Sequence, residues 1–548
     1  MDPRLANPYP SIRQPVFASQ VVATSQPLAA QAGLRMLLAG GNAIDAAVAA
    51  AAALTIVEPV SNGLGSDLFA LVWDGQALHG LNASGPAPAA WSPDYFARRR
   101  GGRIPMRGWD SVTVPGAVAG WAALSRRFGR LPFGDLLAPA IHCGEAGHGV
   151  AVNIAERWGR QAEGLRSQPG FADAFLPRGR APHAGEWVRL PDAAASLREL
   201  AATAGESLYR GPLATRLVAH AGAHGGSMTA QDLAAYQPEW VQPLQQSFAG
   251  HEVHTLPPNG QGISALMALG LLERLRQQGA FDGQRADDLA SHHLQIESMK
   301  LAFADTYRWV ADPAAMTTVS PDDLLSPAYL DQRLAGLDRQ RAGDYGPGMP
   351  PRGGTVYLCT ADGEGRMVSL IQSNYMGFGS GVVVPGTGIS LQNRGCGFSL
   401  DPAHPNVVAG GKCPFHTIMP SFLSQAGRPR MALGVMGGNI QPQGQVQALM
   451  RLLVHGQSLQ AACDAPRWKV GTGRVIDFEA GLPTTLTQGL ESLGHVYEPT
   501  PFAYRDFGSG QFIWRLESAP DEACADASLP ARYVAASDPR RDGQAVGV

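Results

Sequence analysis

The sequence predicts an α+β protein, because helical and strand patterns lie in different parts of the chain. Between residues 120 and 345 most apolar residues recur with helical spacing, as at 264–277 and 286–309. At 353–374 two β-branched, apolar runs flank an Asp-Gly turn, which is the strongest local signal of a β-hairpin. Strand and turn signals dominate after residue 375. The last third is expected to contain helices at 445–454 and 484–493 and strands at 475–478, 511–515 and 531–534.

The beginning of the chain is predicted to form a strand, two helices and a second strand. A strand at 21–25 precedes a helix at 27–38, for which Ser25 is the expected N-cap. Asn42 is expected to cap the next helix, whose alanines permit close packing against a neighbour. The Gly-rich turn at 61–65 comes before a strand, whereas a dinucleotide fingerprint needs the strand first. No cofactor is therefore expected.

Length and charge indicate a large globular enzyme that acts on small molecules. The chain has 548 residues, a net charge of −3 and a pI near 6.5, and its longest basic run is Arg98-Arg99-Arg100. Such a composition gives no electrostatic footprint for nucleic acid or an anionic membrane. The longest nearly apolar run, 46–57, is too short to span a bilayer, so a cytoplasmic protein is expected. Six cysteines without CxxC spacing suggest neither a zinc ribbon nor a redox pair.

The Gly353-Gly354-Thr355 junction is the most informative feature for function. A breaker-rich linker at 347–352 leads into it, and two glycines permit strained conformations just before a hydroxyl residue. If the peptide bond before Thr355 breaks, the new α-amine, with an ordinary pKa of roughly 7.7–8.0, can accept the hydroxyl proton near neutral pH. Thr355 would then be nucleophile and base in one residue. The alternative is a plain turn before a strand.

A series of short motifs follows the same order along nearly the whole chain as in a known family. The motifs are at 29–34, 40–47, 58–59, 62–65, 113–121, 257–262, 297–305, 437–438, 465–467 and 536–540. Together they resemble the γ-glutamyltranspeptidase family of N-terminal-nucleophile hydrolases. The resemblance implies a four-layer αββα sandwich in which both halves of the chain contribute strands to the same two sheets. It also implies self-cleavage into a large subunit, 1–354, and a small subunit, 355–548, that stay associated. Whether two such pairs of subunits form a dimer stays open.

The resemblance implies catalytic roles for four residues. Thr355 matches the family's nucleophile, which first attacks the peptide bond at the Gly354-Thr355 junction and later the substrate amide. Ser373 matches a hydroxyl residue that hydrogen-bonds the nucleophile, and an ordinary strand hydroxyl is the alternative. Gly437 and Gly438 follow a strand, so their N–H groups are expected to bind the developing oxyanion. A tight turn is the alternative for this glycine pair.

The predicted substrate pocket departs from the transpeptidase pattern. Ser84 lies in the stretch where relatives carry an arginine for the α-carboxylate, and Gly397 replaces the acid that meets the α-ammonium. Arg394 stands where relatives carry glutamine, and His416-Thr417 replace paired serines. A buried ammonium without an anionic partner is unfavourable, so the substrate is expected to lack an α-amino group and to offer Arg394 a carboxylate. The alternative for Arg394 is a structural salt bridge.

Three further residues are candidates for substrate binding, and they are Asn374, Tyr375 and Asn393. The segment 405–414 is short compared with the lid loop of the family. An open pocket is therefore expected.

Three classes of function remain open. The first is an amidohydrolase or acyltransferase of the γ-glutamyltransferase type, with a γ-glutamyl or other carboxylate-bearing acyl group. Its variants are a cephalosporin or glutaryl acylase and an oxamate amidohydrolase with little glutathione turnover. The second class is an unprocessed, non-catalytic binding or assembly protein. The third is an unrelated serine or metal hydrolase, but the sequence has no G-x-S-x-G or H-E-x-x-H motif. The His292-His293 pair with Glu297 lies on a predicted helix but lacks a third ligand for a metal site.

Overall fold

The computed structural model describes residues 13–345, 354–499, 507–517 and 530–548. The linker at 347–352, Gly353 and Cys524 lie outside these residues. The strands are Val16–Ala18 (β1), Val21–Thr24 (β2), Asp67–Trp73 (β3), Leu78–Ala83 (β4), His148–Gly149 (β5), Trp187–Val188 (β6), Glu239–Val241 (β7), Leu244–Phe248 (β8), His251–Thr255 (β9), Gly354–Ala361 (β10), Met367–Tyr375 (β11), Val383–Val384 (β12), Ile389–Ser390 (β13), Ser421–Gln425 (β14), Arg428–Met436 (β15), Trp468–Val470 (β16), Val475–Phe478 (β17), Val496–Tyr497 (β18), Ser509–Arg515 (β19), Tyr533–Ser537 (β20) and Gln544–Gly547 (β21).

The helices are Pro27–Leu38 (α1), Ala43–Val57 (α2), Pro93–Arg100 (α3), Ala117–Phe128 (α4), Phe133–Ala146 (α5), Val152–Leu165 (α6), Phe171–Phe175 (α7), Pro191–Ala202 (α8), Ser207–Arg210 (α9), Pro212–Ala223 (α10), Ala230–Ala234 (α11), Gly262–Gln277 (α12), Leu289–Trp309 (α13), Pro321–Leu325 (α14), Pro327–Ala335 (α15), Ile440–Leu449 (α16), Leu459–Asp464 (α17) and Thr484–Ser492 (α18). A π-helix at Met450–Val454 continues α16.

Two antiparallel seven-stranded sheets form the centre of the fold. The first sheet has the strand order β1-β20-β19-β15-β14-β9-β8, and the second has the order β21-β2-β10-β11-β3-β4-β7. Strands from before and after residue 354 are neighbours in both sheets, as where β2 pairs with β10 and β9 pairs with β14. The expected sharing of both sheets by the two halves of the chain is therefore confirmed.

The two sheets pack face to face, and helices cover their outer faces. Buried side chains such as Phe69, Tyr357 and Ile371 fill the space between the sheets. Helices α1, α2 and α4 pack on the second sheet, and α12 and α16 pack on the first, which confirms the four-layer αββα sandwich. The sheets approach closely at Gly434, where a Cβ would lie 2.3 Å from the ring of Tyr357. Within the described ranges, no helix has the length and apolar character needed to cross a membrane.

Most of the predicted helices and strands are present with small shifts at their ends. The helices expected at 264–277 and 286–309 are α12 and α13, and Asn42 caps α2 as expected. The N-cap prediction for α1 is wrong. Gln26 caps this helix by accepting from the N–H of the second residue after it, while the Ser25 hydroxyl donates to the buried Glu58 carboxylate.

The largest error lies at 239–255, inside the stretch predicted to be mostly helical. Strands β7, β8 and β9 occupy it. Strand β8 forms one edge of the first sheet, and β7 forms one edge of the second. These strands have three to five residues each, so a search for helical periodicity over longer windows passes over them. The helix expected at 445–454 begins earlier, at Ile440, and the strand expected at 531–534 is Tyr533–Ser537.

A third group joins His293 and Glu297, so the expectation of an incomplete ligand set is wrong. The nitrogen and oxygen atoms of His293, Glu297 and His495 lie within 4.8 Å of one another. The Lys300 ammonium is 2.9 Å from Glu297 Oε1 and 3.3 Å from His495 Nδ1, so a cation of the chain already neutralises the carboxylate. The Tyr345 hydroxyl donates to Glu297 Oε2 at 2.7 Å. The cluster thus ties α13 to the segment that leads toward residue 354.

Candidate active site

The candidate active site lies where β10, β11 and β3 of the second sheet meet. Thr355 is the second residue of β10, and Ser373, near the end of β11, pairs with Asp67 at the start of β3. The pairing of β10 with β11 is irregular at this point, because Ser373 and Asn374 both stand opposite Thr355. Such a bulge redirects side chains and is frequent next to active sites.

The Thr355 hydroxyl has two polar neighbours. Its Oγ1 lies 3.2 Å from Ser373 Oγ, and Gln441 Nε2 donates to it at 3.4 Å. Strand β10 includes both Gly354 and Thr355, and Thr355 is 2% exposed in the continuous chain. The predicted cleavage junction therefore lies at the start of a central strand, and its hydroxyl already contacts Ser373.

Gly437 and Gly438 connect β15 to α16. Their φ angles are 124° and 72°, which favour glycine over any residue with a side chain. Gln441, which contacts Thr355, lies in the first turn of α16 and donates its N–H to the Gly438 carbonyl. No hydrogen bond within the described part of the chain uses the N–H of either glycine. Two backbone donors therefore remain available one helical turn from the residue that contacts Thr355.

Arg394 is fully buried beside Ser373. Its Nη1 donates to Thr417 Oγ1 at 2.9 Å, and its Nη2 donates to Ser373 Oγ at 3.5 Å. Among the described residues, no carboxylate lies within 4.0 Å of the guanidinium, and its Nε–H has no partner. The structural salt bridge considered for Arg394 is thus not formed there. Burial lowers the pKa of Arg394 to about 10, although the charge of Asp67 opposes this effect.

Tyr375 supports the Arg394 guanidinium from one side. The centre of its ring lies 4.1 Å from the guanidinium carbon, which is a cation–π contact. Tyr375 has a φ of 73°, and its N–H donates to Ser373 Oγ at 2.7 Å. A bulky residue rarely adopts this conformation, and such strain is concentrated at functional sites.

Asp67 and His416 form a buried pair next to these groups. Asp67 Oδ2 accepts from His416 Nε2 at 3.0 Å, and His416 Nδ1 accepts from the N–H of Ile418 at 3.3 Å. These contacts assign the neutral imidazole with its hydrogen on Nε2. Burial raises the pKa of Asp67 to about 7, although the charge of Arg394 opposes this effect. Burial and the same arginine lower the pKa of His416 well below its ordinary value.

Three predicted substrate-binding residues have other partners. The Ser84 hydroxyl bonds to the side chains of two asparagines. The Asn374 amide bonds to two serine hydroxyls, and the Asn393 amide bonds to two backbone groups. Within the described residues, none of the three side chains forms a hydrogen bond with Thr355 or Arg394. These residues support the loops around the site, whereas Tyr375, Arg394, His416 and Thr417 are brought together with Thr355 and Ser373.

The position of the missing acid is sterically closed. A Cβ at Gly397 would lie 2.8 Å from the carbonyl oxygen of Phe415, so a side chain there requires a shift. Thr355, Arg394 and Thr417 are each at most 2% exposed. The expectation of an open pocket concerns the processed enzyme and stays a prediction. The short turn that carries Arg394 lies against the segment that contains Phe415 and Thr417.

Sequence reasoning missed Asp67 and Gln441. Asp67 is a fully buried acid on an otherwise apolar strand, and an unpaired acid in such a run is unusual enough to have been a signal. Gln441 is one of four glutamines at alternate positions of α16, all of them buried. Polar side chains on a wholly buried helix are also unusual, but their partners are not visible in the sequence.

A threonine at the start of a central strand, next to hydrogen-bonding groups inside an αββα sandwich, is typical of N-terminal-nucleophile hydrolases. Residues 29–548 match the sequence profile of the gamma-glutamyltranspeptidase family. The chain therefore belongs to this family, and it is an enzyme of the amidohydrolase and acyltransferase type.

Individual relatives cover almost the whole chain. The oxamate amidohydrolase proenzyme of Klebsiella pneumoniae is 37% identical over 95% of this chain and 97% of its own length. The glutathione hydrolase-like YwrD proenzyme of Bacillus subtilis is 34% identical, with 97% and 99% covered. The solved structure of cephalosporin acylase from Bacillus halodurans has a TM-score of 0.92 at 44% identity and covers 100% of this chain and 99% of its own. Two of these relatives are named proenzymes, that is, precursors.

Proposed function

We propose that this chain cuts the peptide bond between Gly354 and Thr355 and then uses Thr355 to hydrolyse or transfer a short acyl group that carries a carboxylate. The observation that carries the proposal is that one oxygen, Ser373 Oγ, contacts both the Thr355 hydroxyl at 3.2 Å and the buried Arg394 guanidinium at 3.5 Å. A nucleophile and an anion-binding group thus lie on either side of one serine. The precursor names of the relatives support the cleavage step.

The proposed chemistry proceeds through an acyl-enzyme. After cleavage, the free α-amine of Thr355 accepts the proton of its own hydroxyl as Oγ1 attacks the amide carbonyl. The N–H groups of Gly437 and Gly438 donate to the oxyanion, the ammonium returns the proton to the leaving amine, and the C–N bond breaks. Water, or an acceptor amine in the transfer reaction, then attacks the ester and releases Thr355. Ser373 and Gln441 hold the hydroxyl in place.

The separation of the two groups limits the length of the acyl chain. Because Ser373 Oγ bridges them, Thr355 Oγ1 and Arg394 Nη2 are at most about 6.7 Å apart, the sum of the two measured distances. A carbonyl carbon about to be attacked lies about 3 Å from the nucleophile, and a charged hydrogen bond spans about 2.8 Å. A short acyl group can therefore reach both residues at once. Oxamate, the substrate named for one relative, is an amide with an adjacent carboxylate and no amino group.

Among the described residues of the pocket, no acid is left to pair with an α-ammonium, which disfavours the γ-glutamyl group as the preferred acyl group. Gly397 has no room for a side chain, and Asp67 is engaged with His416 and compensates the charge of Arg394. A substrate ammonium in this buried pocket would have no anionic partner of its own. We therefore expect poor glutathione turnover.

The cleavage step is tested by mass spectrometry of the purified chain after prolonged incubation. The wild type should give two fragments, 1–354 and 355–548, and Thr355→Ala should remain a single chain. Thr360→Val is the matched control, because Thr360 lies on the same strand and its hydroxyl donates only to a backbone carbonyl. Cleavage in Thr355→Ala would refute the proposal. An intact wild type would favour a non-catalytic binding protein.

The acyl preference is tested with a series of anilides and the processed enzyme. We expect oxalyl, malonyl and succinyl anilides to have higher kcat/KM values than neutral acyl anilides of equal length. The glutaryl and γ-glutamyl anilides differ only in the α-amino group, and the γ-glutamyl compound should be the poorer substrate. Equal kcat/KM values for this pair would contradict the argument from Gly397.

A further inference from the structure

Asp67 is a buried carboxylate whose charge acts on Arg394 without a direct ion pair. Arg394 favours the ionised form of Asp67, and Asp67 favours the charged form of Arg394. Both residues are fully buried, and the strand partner of Asp67 is Ser373, the residue that Arg394 Nη2 contacts. With both groups ionised, the empty pocket therefore holds one cation and one anion and is neutral as a whole.

We propose that Asp67 is a specificity-determining residue, which balances the charge of Arg394 while the pocket is empty and takes up a proton from solvent when the carboxylate of an acyl group binds to Arg394. This inference rests on the proposed function, because it requires a carboxylate at Arg394. Two ionised carboxylates around one guanidinium would leave a net negative charge inside the protein, which is strongly unfavourable. Protonation of Asp67 removes this charge.

His416 does not take up this proton. Its Nδ1 accepts from the N–H of Ile418, so protonation there would set two N–H groups against each other. Burial beside Arg394 also lowers the pKa of His416 well below its ordinary value. Asp67, in contrast, has a pKa of about 7 and can change its charge near neutral pH.

The other titratable groups whose charge acts on Asp67 stay neutral in this range. These groups are Tyr209, Tyr236 and Cys413. Burial raises the pKa of both tyrosine hydroxyls above their ordinary value. Burial also raises the pKa of the Cys413 thiol, to about 12. A change of charge near pH 7 in this pocket is therefore assigned to Asp67.

The proton uptake gives carboxylate-bearing ligands a distinctive pH dependence. Below about pH 7 Asp67 is already protonated, so binding takes up no further proton and affinity does not change with pH. Above this value each binding event must take up one proton, so the dissociation constant should rise about tenfold per pH unit. A neutral ligand of the same shape leaves the pocket charge unchanged and should show no such rise.

The test measures the inhibition constants of two ketones against the processed wild-type enzyme between about pH 6 and pH 9. The first, 4-oxopentanoate, has the chain of a succinyl group with a methyl ketone in place of the amide, and the second, pentan-2-one, lacks the carboxylate. The ratio of the two constants cancels effects of the Thr355 amine, which acts on both ketones alike. We expect this ratio to rise roughly 50-fold from pH 7 to pH 9, because Asp67 is about half protonated at pH 7. A constant ratio would overturn the proposal.

Asp67→Asn provides the second arm, because its amide oxygen can still accept from His416 while the residue cannot ionise. In this variant the ratio should not change with pH, and a persistent rise would assign the proton to another group and refute the role of Asp67. If the variant does not fold, the wild-type ratio still decides. Turnover of carboxylate-bearing anilides with a constant ratio would refute this inference alone. Absence of both turnover and inhibition by 4-oxopentanoate would refute the proposed function as well.

Discussion

Replacement of Arg394 by lysine separates its binding role from a merely structural one. Lysine keeps the positive charge but loses the planar fork that binds a carboxylate through two parallel hydrogen bonds. It also loses the stacking contact with Tyr375, whose ring centre is 4.1 Å from the guanidinium carbon. If Arg394 binds the acyl carboxylate, Arg394→Lys should weaken substrates that have this group and should spare those that lack it.

The magnitude follows from the hydrogen bonds at stake. In the uncut chain Arg394 makes one short side-chain hydrogen bond, to Thr417 at 2.9 Å, and one long contact, to Ser373 at 3.5 Å, so its unpartnered Nε–H and the remaining hydrogen on Nη2 are left for a ligand. A hydrogen bond to a charged group contributes about 1.5–3 kcal/mol. Lysine should lose one of the two hydrogen bonds that the guanidinium donates to the substrate carboxylate. This loss should lower kcat/KM for succinyl anilide by roughly 10- to 150-fold.

The assay compares kcat/KM for succinyl anilide and for the neutral butyryl anilide in wild type, Arg394→Lys and a control. Arg107→Lys is a suitable control, because Arg107 is a partly buried arginine whose guanidinium donates to backbone carbonyls of the loop after β11. The control should change both substrates equally and modestly. If Arg394→Lys lowers kcat/KM for both anilides by the same factor, Arg394 only supports Ser373 and Thr355, and the reasoning fails.

Three further predictions concern single residues outside this comparison. Alanine keeps the N–H of residue 438 but strains its φ of 72°, so the backbone must rotate the N–H away from the oxyanion, and Gly438→Ala should lower kcat about 100- to 1,000-fold. Gly427→Ala, at the same φ in the turn between β14 and β15, is the control and should cost similar stability but keep activity. Steady-state rates and thermal melting measure the two effects. Because burial raises the pKa of Asp67 from 3.8 to about 7, its contribution to stability is present below about pH 4 and is lost as the pH rises to 7. The difference in unfolding free energy between Asp67→Asn and the wild type should therefore shift in favour of the variant by up to about 4 kcal/mol between pH 4 and pH 8. Urea titrations at several pH values measure this difference. Lys300→Met should destabilise the fold by about 3–5 kcal/mol, and a smaller loss in the double variant with Glu297→Gln would confirm that the single loss comes from an uncompensated buried carboxylate.

The sequence predicted the local elements of this fold better than its long-range pairing. The caps and breakers around α2 are local, so the helix and its Asn42 cap were predictable. The hairpin of β10 and β11 was predictable from its Asp-Gly turn. Strands β7 to β9 were not, because they are short and are stabilised by pairing with distant strands such as β4 and β14. Ser25 illustrates the same limit, since its true partner, Glu58, is 33 residues away.

In the candidate site too, single residues could be predicted from the sequence, whereas the pairing of distant strands could not. That pairing affects what can be inferred about the substrate. Thr355, Ser373 and Arg394 were recognisable as individual residues, but the charge of the pocket also depends on Asp67, which reaches the site only because β3 pairs with β11 in one register. A shift of one residue would turn the Asp67 side chain to the other face of the sheet. The pocket would then hold an uncompensated cation and would bind a carboxylate without taking up a proton. Under the proposed function, Arg394 would therefore bind the acyl carboxylate, and the register of β3 against β11, which brings Asp67 to the site, would make that binding depend on pH.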